Sequence, residues 1–390
     1  MQTLASLDLR HQRVLIREDF NVPVENGRIT SDARIQAAIP TLKLVLEKGG
    51  YPIVMSHFGR PEEGQFDVNF SLKIVAEALA KIMQVDVRFV SDPFAPFETK
   101  ENQIIFLENV RFLKGEASND PLLAAKLAKL ADIMVMDAFA TAHRAQASTE
   151  GVIHKAKKAC AGPLLTQEVE ALTTALLKPT VPLVALVGGS KVSSKMAVLE
   201  NLLLRANALV IGGGMANTFL AAQGYAVGKS LVEPDYIETA KRILHTAAQR
   251  KIAVHLPVDV IVAEKVDAAA PTQEKSVSLI AQNDIVLDIG SQTCKIYAEV
   301  IKNAGTLIWN GPVGMFELPN FRLGTMAVAK AVAASPAYSL AGGGDTIAAI
   351  EMANVADKIN YISTAGGAFL EFVEGKTLPA IAALHARANN

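Results

Sequence analysis

The sequence predicts an α/β fold made of two doubly wound parallel-sheet, Rossmann-like domains joined by an interdomain helix. Three observations carry that expectation. Strand-length apolar runs alternate with helical patterns along the chain, as in a parallel sheet covered on both faces. At 390 residues the chain exceeds what one core usually holds, since cores rarely grow past ~250–300 residues. The composition also changes partway along. Residues 1–160 hold nine of the fourteen arginines but seven of the 26 glycines, whereas residues 161–390 hold five and nineteen. Arginine-tipped loops in one half and glycine-rich loops in the other point to two domains with different sites. A single α/β domain with one more crossover helix leaves that asymmetry unexplained.

The change falls across residues 162–187. Gly162-Pro163 opens a helical pattern with Leu165, Val169, Leu172, Leu176 and Leu177 at the expected spacing. Lys178-Pro179 and Pro182 end it before the apolar run Leu183-Val184-Ala185-Leu186-Val187. The organisation expected is a first domain over 1–165, a helix and hinge over 166–183 and a second domain over 184–371.

Composition excludes several function classes. Half of the residues are hydrophobic, 20% are charged and the formal net charge is −1, so no global basic field would hold nucleic acid or an anionic membrane. Residues 1–160 carry 20 Lys+Arg and 20 Asp+Glu. An anion site there must come from where the arginines sit, not from net charge. Cys160 and Cys294 lack metal-type spacing, as in a reduced protein with two core thiols. The first residues lack the apolar region of a leader peptide, and no run approaches ~18 apolar residues. A cytoplasmic protein is expected.

In the first half, four strand-like runs lead into charged loops: Val14–Ile16 into Arg17-Glu18-Asp19-Phe20-Asn21, 51–55 into Ser56-His57-Phe58-Gly59-Arg60, 104–107 into Glu108-Asn109-Val110-Arg111, and 133–136 into Asp137-Ala138 and on to His143-Arg144. Helical stretches over 34–48, 72–83 and 121–130 lie between them. Ligands of open parallel sheets bind outside the carboxyl ends of the strands, where these loops fall. His57, Arg60, Arg111 and Arg144, joined by Arg34 at a helix start, suit a small, multiply anionic ligand, because guanidinium forks grip carboxylate and phosphate bidentately. Asp19 and Asn21 are counterparts for ligand hydroxyls. One arginine in such a loop is accounted for by solvation alone; four loops with the same bias are not. For His143 a structural role is the simpler reading.

In the second half the strands end in glycine: Gly188-Gly189 with Lys191 and Lys195 following, Gly212-Gly213-Gly214, Asn310-Gly311, Gly342-Gly343-Gly344-Asp345-Thr346, and Gly366-Gly367. Runs at 252–255 and 284–288 are expected to fit between as plainer strands. Glycine clears side chains so that backbone N–H groups can face an anion, aided by helix N-termini. Such loops suit nucleotide phosphates. Residues 224–230 fall one residue short of the Walker A pattern and follow no strand, and no G-x-G-x-x-G pattern survives. Asp345 is placed to meet phosphate-bound Mg²⁺. Lys191 and Lys195, four apart, would face the same way on a starting helix.

The segments RVLIREDFNVP, TSDARI, SHFGRP, LENVRF, MDAFATAHRAQAST, GGSKVSSK, IGGGMANTF, WNGPVGMFE, AGGGDT and STAGGAFLEF together resemble the bacterial phosphoglycerate kinases, in that family's order and over the whole chain. The resemblance implies a glycolytic phosphotransferase with a carboxyl group as acceptor, acting on ATP and 3-phosphoglycerate with Mg²⁺, and a monomer with no nucleic-acid or membrane partner. It assigns 3-phosphoglycerate to Asp19, Phe20, Asn21, Arg34, His57, Phe58, Gly59, Arg60, Arg111 and Arg144. It assigns the nucleotide to Gly188, Lys195, Gly212, Gly213, Asn310, Glu317, Gly343, Gly344, Asp345 and Thr346, with Asp345 as the metal ligand. Catalysis would fall to Arg34, Lys191, Gly344 and Gly367. The last segment, 372–390, would pack back on the first domain. Three departures stand out: Ala140 and Ala365 replace glycines usual in the family, each adding a methyl in a tight loop, and Glu18 replaces an uncharged residue for no reason visible in the sequence.

Phosphoryl transfer to a carboxylate needs no general base, because the acceptor is already ionised; it needs in-line placement and charge neutralisation. Two substrates on two domains would also require closure about the hinge. Two alternatives are a nicotinamide-type dehydrogenase, favoured only by the α/β alternation, and a non-catalytic scaffold, which would have lost Arg34, Lys191 or Asp345.

Overall fold

The computed structural model describes residues 1–388. The chain divides into two compact units, Met1–Glu170 with residues 377–388, and Ala171–Lys376. The dividing point lies inside the helix Pro163–Leu176.

The first unit is built on a six-stranded sheet of β1 (Arg13–Arg17), β4 (Tyr51–Met55), β5 (Asp86–Val90), β6 (Gln103–Leu107), β7 (Ile133–Met136) and β8 (Lys158–Ala161), in the order β5-β6-β4-β1-β7-β8 and parallel throughout. A two-stranded ribbon, β2 (Val24–Glu25) and β3 (Arg28–Ile29), follows β1. The central strands are apolar on both faces because both are covered. β4 reads YPIVM and β6 QIIFL, with β6 buried at every position. Helices Ala33–Glu47 and Lys73–Met83 bury Ile35, Leu42, Val45, Val75 and Leu79 against one side. The closing helix Pro379–Ala388 buries Ala380, Ile381, Ala383 and Leu384, and Arg387 donates to the carbonyls of Ala156 (2.7 Å) and Lys157 (2.9 Å).

The second unit repeats the architecture. β9 (Leu183–Val187), β10 (Ala208–Ile211), β11 (Ala253–His255), β15 (Thr306–Asn310), β16 (Tyr338–Gly342) and β17 (Tyr361–Ser363) form a parallel sheet in the order β11-β10-β9-β15-β16-β17. The sequence expectation needs one correction here. The run at 284–288 does not enter this sheet. As β14 (Ile285–Ile289) it joins β12 (Asp259–Ala263) and β13 (Gln273–Ser276) in a separate antiparallel sheet ordered β13-β12-β14. The contacts that accompany this arrangement are long-range. Asp259 accepts from the N–H groups of Gln292 and Thr293 and from the Thr293 hydroxyl, which ties β12 to the helix that follows β14. No described helix is long and apolar enough to cross a membrane.

Leu384 is 1% exposed in the returning helix. Leu384→Ala should therefore lower the stability of the first unit by about 2–5 kcal/mol, read as a loss in melting temperature. A melt equal to the natural protein's would show that this helix is not packed as described.

Candidate functional site

In the first unit the carboxyl ends of β1, β4, β6 and β7 gather a set of positive charges. Arg17 closes β1 completely buried, where its neighbours in the run are apolar. It donates to Ser148 Oγ (3.1 Å), to the Glu18 carbonyl (2.5 Å) and to His57 Nδ1 (3.5 Å). Burial lowers its pKa, and the Glu116 charge opposes that most. Glu116 is itself buried and held by Ser148 through its N–H (2.9 Å) and hydroxyl (2.5 Å). Arg111 is pushed down to about 10 by burial and by the charges of Arg144 and Arg17. Arg60, Arg111, Arg144, Glu116 and Gln146 line one recess of about 410 Å³.

His57 is 5% exposed. Desolvation, then the charges of Arg17, Arg111, Arg144 and Arg34, hold its pKa far below the usual imidazole range. It is therefore neutral, and since Arg17 donates to Nδ1, its proton sits on Nε2. Asp19 grips Arg34 at 2.7 Å, while its other oxygen accepts from the Asn21 N–H (3.1 Å). Arg34 also donates to the Asn21 carbonyl (3.1 Å). The Asn21 side chain accepts from the Gly59 N–H (2.8 Å), and Arg111 donates to the Gly59 carbonyl. Gly59 has φ +57°, and a Cβ there would lie 2.2 Å from the Phe70 ring. Phe20 and Phe58 turn into the core, Phe20 against Phe106 with ring centroids 5.4 Å apart, so what they can offer a ligand is backbone. Ala140 and Ala365 take no positive φ, so neither loop demands glycine for its backbone conformation.

The second unit builds its site from main chain. Loops after β9, β10 and β15 pack so closely that a Cβ on Gly188 would lie 2.0 Å from the Pro312 carbonyl oxygen, and one on Gly213 (φ +71°) 2.6 Å from that of Gly189. Gly212 meets Val313 in the same way. A cavity of about 590 Å³ opens beside them, lined by Gly189, Gly213, Pro312, Glu317 and Asp345 and, on its apolar side, by Val260. Asn217 lines it too, and its buried Oδ1 has no hydrogen-bond partner. Helix Gly344–Met352 begins behind Gly343 (φ +100°) and carries Asp345, exposed, in its first turn. Thr346 Oγ1 accepts from the Gly311 N–H (2.7 Å), and Trp309 Nε1 donates to the Gly311 carbonyl (2.9 Å). Asn310 donates to the Gly342 carbonyl (2.7 Å) and accepts from Lys195 Nζ. Burial lowers the pKa of Lys195, with Asp345 and Glu374 opposing. Gly366 (φ +53°) precedes the short helix Gly367–Val373 after β17.

Lys191 and Lys195 are not on one helical face. The helix starts only at Met196, preceded by the single turn Ser193–Lys195, and Lys191 lies exposed in the loop before it. Glu233 holds that loop by accepting from Ser193 N–H (3.0 Å) and Oγ (2.6 Å). The sequence reading also passed over Arg17 and Glu116. An arginine ending a buried strand run was the available signal for the first; Glu116 sits in a polar loop that offered none.

The neutrality of His57 is open to test. In the ligand-free protein its imidazole proton resonances should stay flat from about pH 8 to about pH 5, where exposed imidazoles titrate. Because its folded pKa is depressed, its contribution to stability is present above the ordinary value and lost as pH falls. A midpoint near neutrality would refute the desolvated geometry.

The comparisons agree with this architecture. The family model for phosphoglycerate kinase matches residues 4–376. Phosphoglycerate kinases of Legionella pneumophila (strain Paris) and Coxiella burnetii (strain RSA 493 / Nine Mile phase I) are each 51% identical, covering 99% of this chain and 98% of theirs. The solved structure of the phosphoglycerate kinase from Coxiella burnetii superposes with a TM-score of 0.97 at 51% identity, over 99% of each chain. That of the phosphoglycerate kinase from Pyrococcus horikoshii OT3 gives 0.81 at 32% identity, over the whole of both. With a parallel-sheet pair of units, an arginine-lined strand edge in one and a glycine-walled cavity in the other, the chain belongs to the phosphoglycerate kinase family.

Proposed function

We propose that the chain catalyses reversible, Mg²⁺-dependent phosphoryl transfer between ATP and 3-phosphoglycerate, giving ADP and 1,3-bisphosphoglycerate. The observation that carries this reading is the recess lined by Arg60, Arg111 and Arg144 beside buried His57, where burial and then neighbouring guanidinium charge lower the pKa of His57 and of Arg111. A phosphate ester answers that charge at Arg60, Arg111 and Arg144, with His57 donating from Nε2. Asp19 and Asn21 take the hydroxyl and carboxylate end, with the backbone of Phe20, Phe58 and Gly59 shaping the floor. The nucleotide belongs to the second unit, its base on the apolar cavity wall, its ribose at Glu317 and its phosphates at Lys195, Gly343, Gly344 and Thr346. Gly188, Gly212, Gly213 and Asn310 form the wall itself. The domains proposed are 1–165 with 372–390 for 3-phosphoglycerate and 184–371 for nucleotide, joined by 166–183.

The residues present fit Mg²⁺. No group of three or more His, Cys, Asp or Glu that could hold a metal occurs among the described residues, and Asp345 is an exposed carboxylate on the cavity in the first turn of helix Gly344–Met352. That donor set suits a cation bound through one carboxylate and substrate phosphates. Bound there, Mg²⁺ would offset phosphate charge during transfer.

In the reaction a carboxylate oxygen of 3-phosphoglycerate bonds to the γ-phosphorus as the bond to the ADP oxygen breaks, with no proton moved. Arg34 orients that carboxylate, Lys191 follows the transferred group, and the N–H groups at Gly344 and Gly367 stabilise its equatorial oxygens. Ligands on separate units must be brought together for this, the closure expected from the sequence.

Arg34→Ala should lower kcat by roughly 3–4 kcal/mol in transition-state terms with both substrates still bound. A coupled assay for ADP formation measures it, and an unchanged kcat in the folded variant would remove Arg34 from catalysis. Asp345→Asn should raise the Mg²⁺ concentration needed for half-maximal rate at least about tenfold. An unaltered Mg²⁺ titration would place the metal elsewhere.

A further inference from the structure

Glu18 is buried where β1 ends, 1% exposed, with Oε1 lacking any hydrogen-bond partner. Glu18 directly follows β1 and Asp137 directly follows β7, where Arg17 pairs with Met136 and the Asp137 N–H donates to the Arg17 carbonyl (3.0 Å), so the two carboxyl groups interact with both cut off from water. Two ionised carboxylates cannot share such a place. The nearest cation, Arg17, does not resolve the conflict, because its guanidinium is committed to Ser148 Oγ, the Glu18 carbonyl and His57 Nδ1. Asp137 is the better-supported anion. One of its oxygens accepts from Thr41 Oγ1 (2.5 Å) on helix Ala33–Glu47, the other from the Leu165 N–H (3.0 Å) in the first turn of helix Pro163–Leu176. The positive end of that helix favours a negative charge there. The carboxylate sits so close to the helix start that a Cβ on Gly162 would lie 2.2 Å from Asp137 Cγ. Other polar and titratable neighbours are Asp19 on the β1 loop and the Cys160 thiol on β8, pushed up to about 12 by burial and by Asp137.

We infer that Glu18 and Asp137 hold one proton between them, Glu18 as the donor, and that this pair positions the β1 loop against the start of helix Pro163–Leu176. The loop carries Asp19 directly after Glu18, and Asp19 grips Arg34 at 2.7 Å. The Glu18 N–H is anchored on the Met55 carbonyl (3.1 Å), so the carboxyl group has little freedom to retreat. Loss of the shared proton places two buried anions together with Asp19 as a third, and the loop is pushed from the helix start. Glu18 thus acts through Asp19 and Arg34 as a positioning residue, and this part of the inference rests on the proposed reading of those two as substrate residues.

The pair has a defined pH behaviour. Burial, followed by Asp137, raises the Glu18 pKa well above the carboxylate range, and burial raises Asp137 to about 6. Groups raised in the folded state contribute stability that is complete below their unfolded values and lost as pH rises through the folded ones. Glu18→Gln keeps a donor for Asp137 but cannot ionise. From about pH 5 to about pH 9 its melting temperature should therefore gain steadily on that of the natural protein. Its KM for 3-phosphoglycerate should stay level where the natural protein's rises, while kcat at neutral pH is retained. Difference infrared spectroscopy of the natural protein at neutral pH should show a protonated carboxyl band that Glu18→Gln abolishes. Absence of that band, or a melting difference independent of pH, would overturn the inference. The infrared and melting results need no turnover. If the protein fails to phosphorylate 3-phosphoglycerate, the proposed function falls while the shared proton is still decided.

Discussion

Guanidinium charge held out of water is the constraint on which the strand-end face of the first unit depends. Arg17 ends a strand that would otherwise be wholly apolar, and its full burial obliges the chain to supply Glu116, Ser148 and the Glu18 carbonyl around it. Burial, and then Arg17 beside it, hold His57 far below the imidazole range, and Arg60, Arg111 and Arg144 share one recess with Glu63 and Glu116. Burying a cation at a strand end thus sets the charge of the groups gathered around it.

The second unit builds its strand ends by the opposite route. There the glycines bring one main chain against another, with the Gly188–Pro312 and Gly213–Gly189 contacts leaving no room for a Cβ. N–H groups and helix starts then supply positive potential at fixed positions. The Thr346–Gly311 and Asn310–Gly342 hydrogen bonds lock the loops after β15 and β16 together. One unit shapes its strand ends with charged side chains, the other with closely packed backbone.

Much of this was legible in the sequence, for identifiable reasons. Strand-end loops were visible because β1, β4, β6, β7, β9, β10, β15 and β16 are buried on both faces and read as unbroken apolar runs. The antiparallel sheet was not, because β13 is Gln-Glu-Lys-Ser and mostly exposed, with nothing apolar to mark it. Lys191 and Lys195 were placed on one helix by spacing alone; Glu233, far along the chain, accepts from Ser193 in the turn that precedes the helix. Glu18 was unexplained for the same kind of reason: its partner Asp137 is distant in sequence and adjacent only after β1 and β7 pair, with Arg17 opposite Met136. Helical period and turn chemistry are local properties, whereas a buried polar group is explained only by what the topology brings to it.

The indole of Trp309 has a practical consequence. It is the single tryptophan of the chain, 1% exposed, and its N–H is spent on the Gly311 carbonyl in the loop beside the cavity. Intrinsic emission from this protein therefore reports one place, with no second indole to average against it. The chromophore is shut off from bulk solvent, packed among the apolar side chains of the second unit's core and hydrogen-bonded to that one loop, so a change in its colour or lifetime reports on this core and the loop it holds. The molecule thus carries its own optical probe beside the glycine-walled cavity, one hydrogen bond away from the loop that forms its wall.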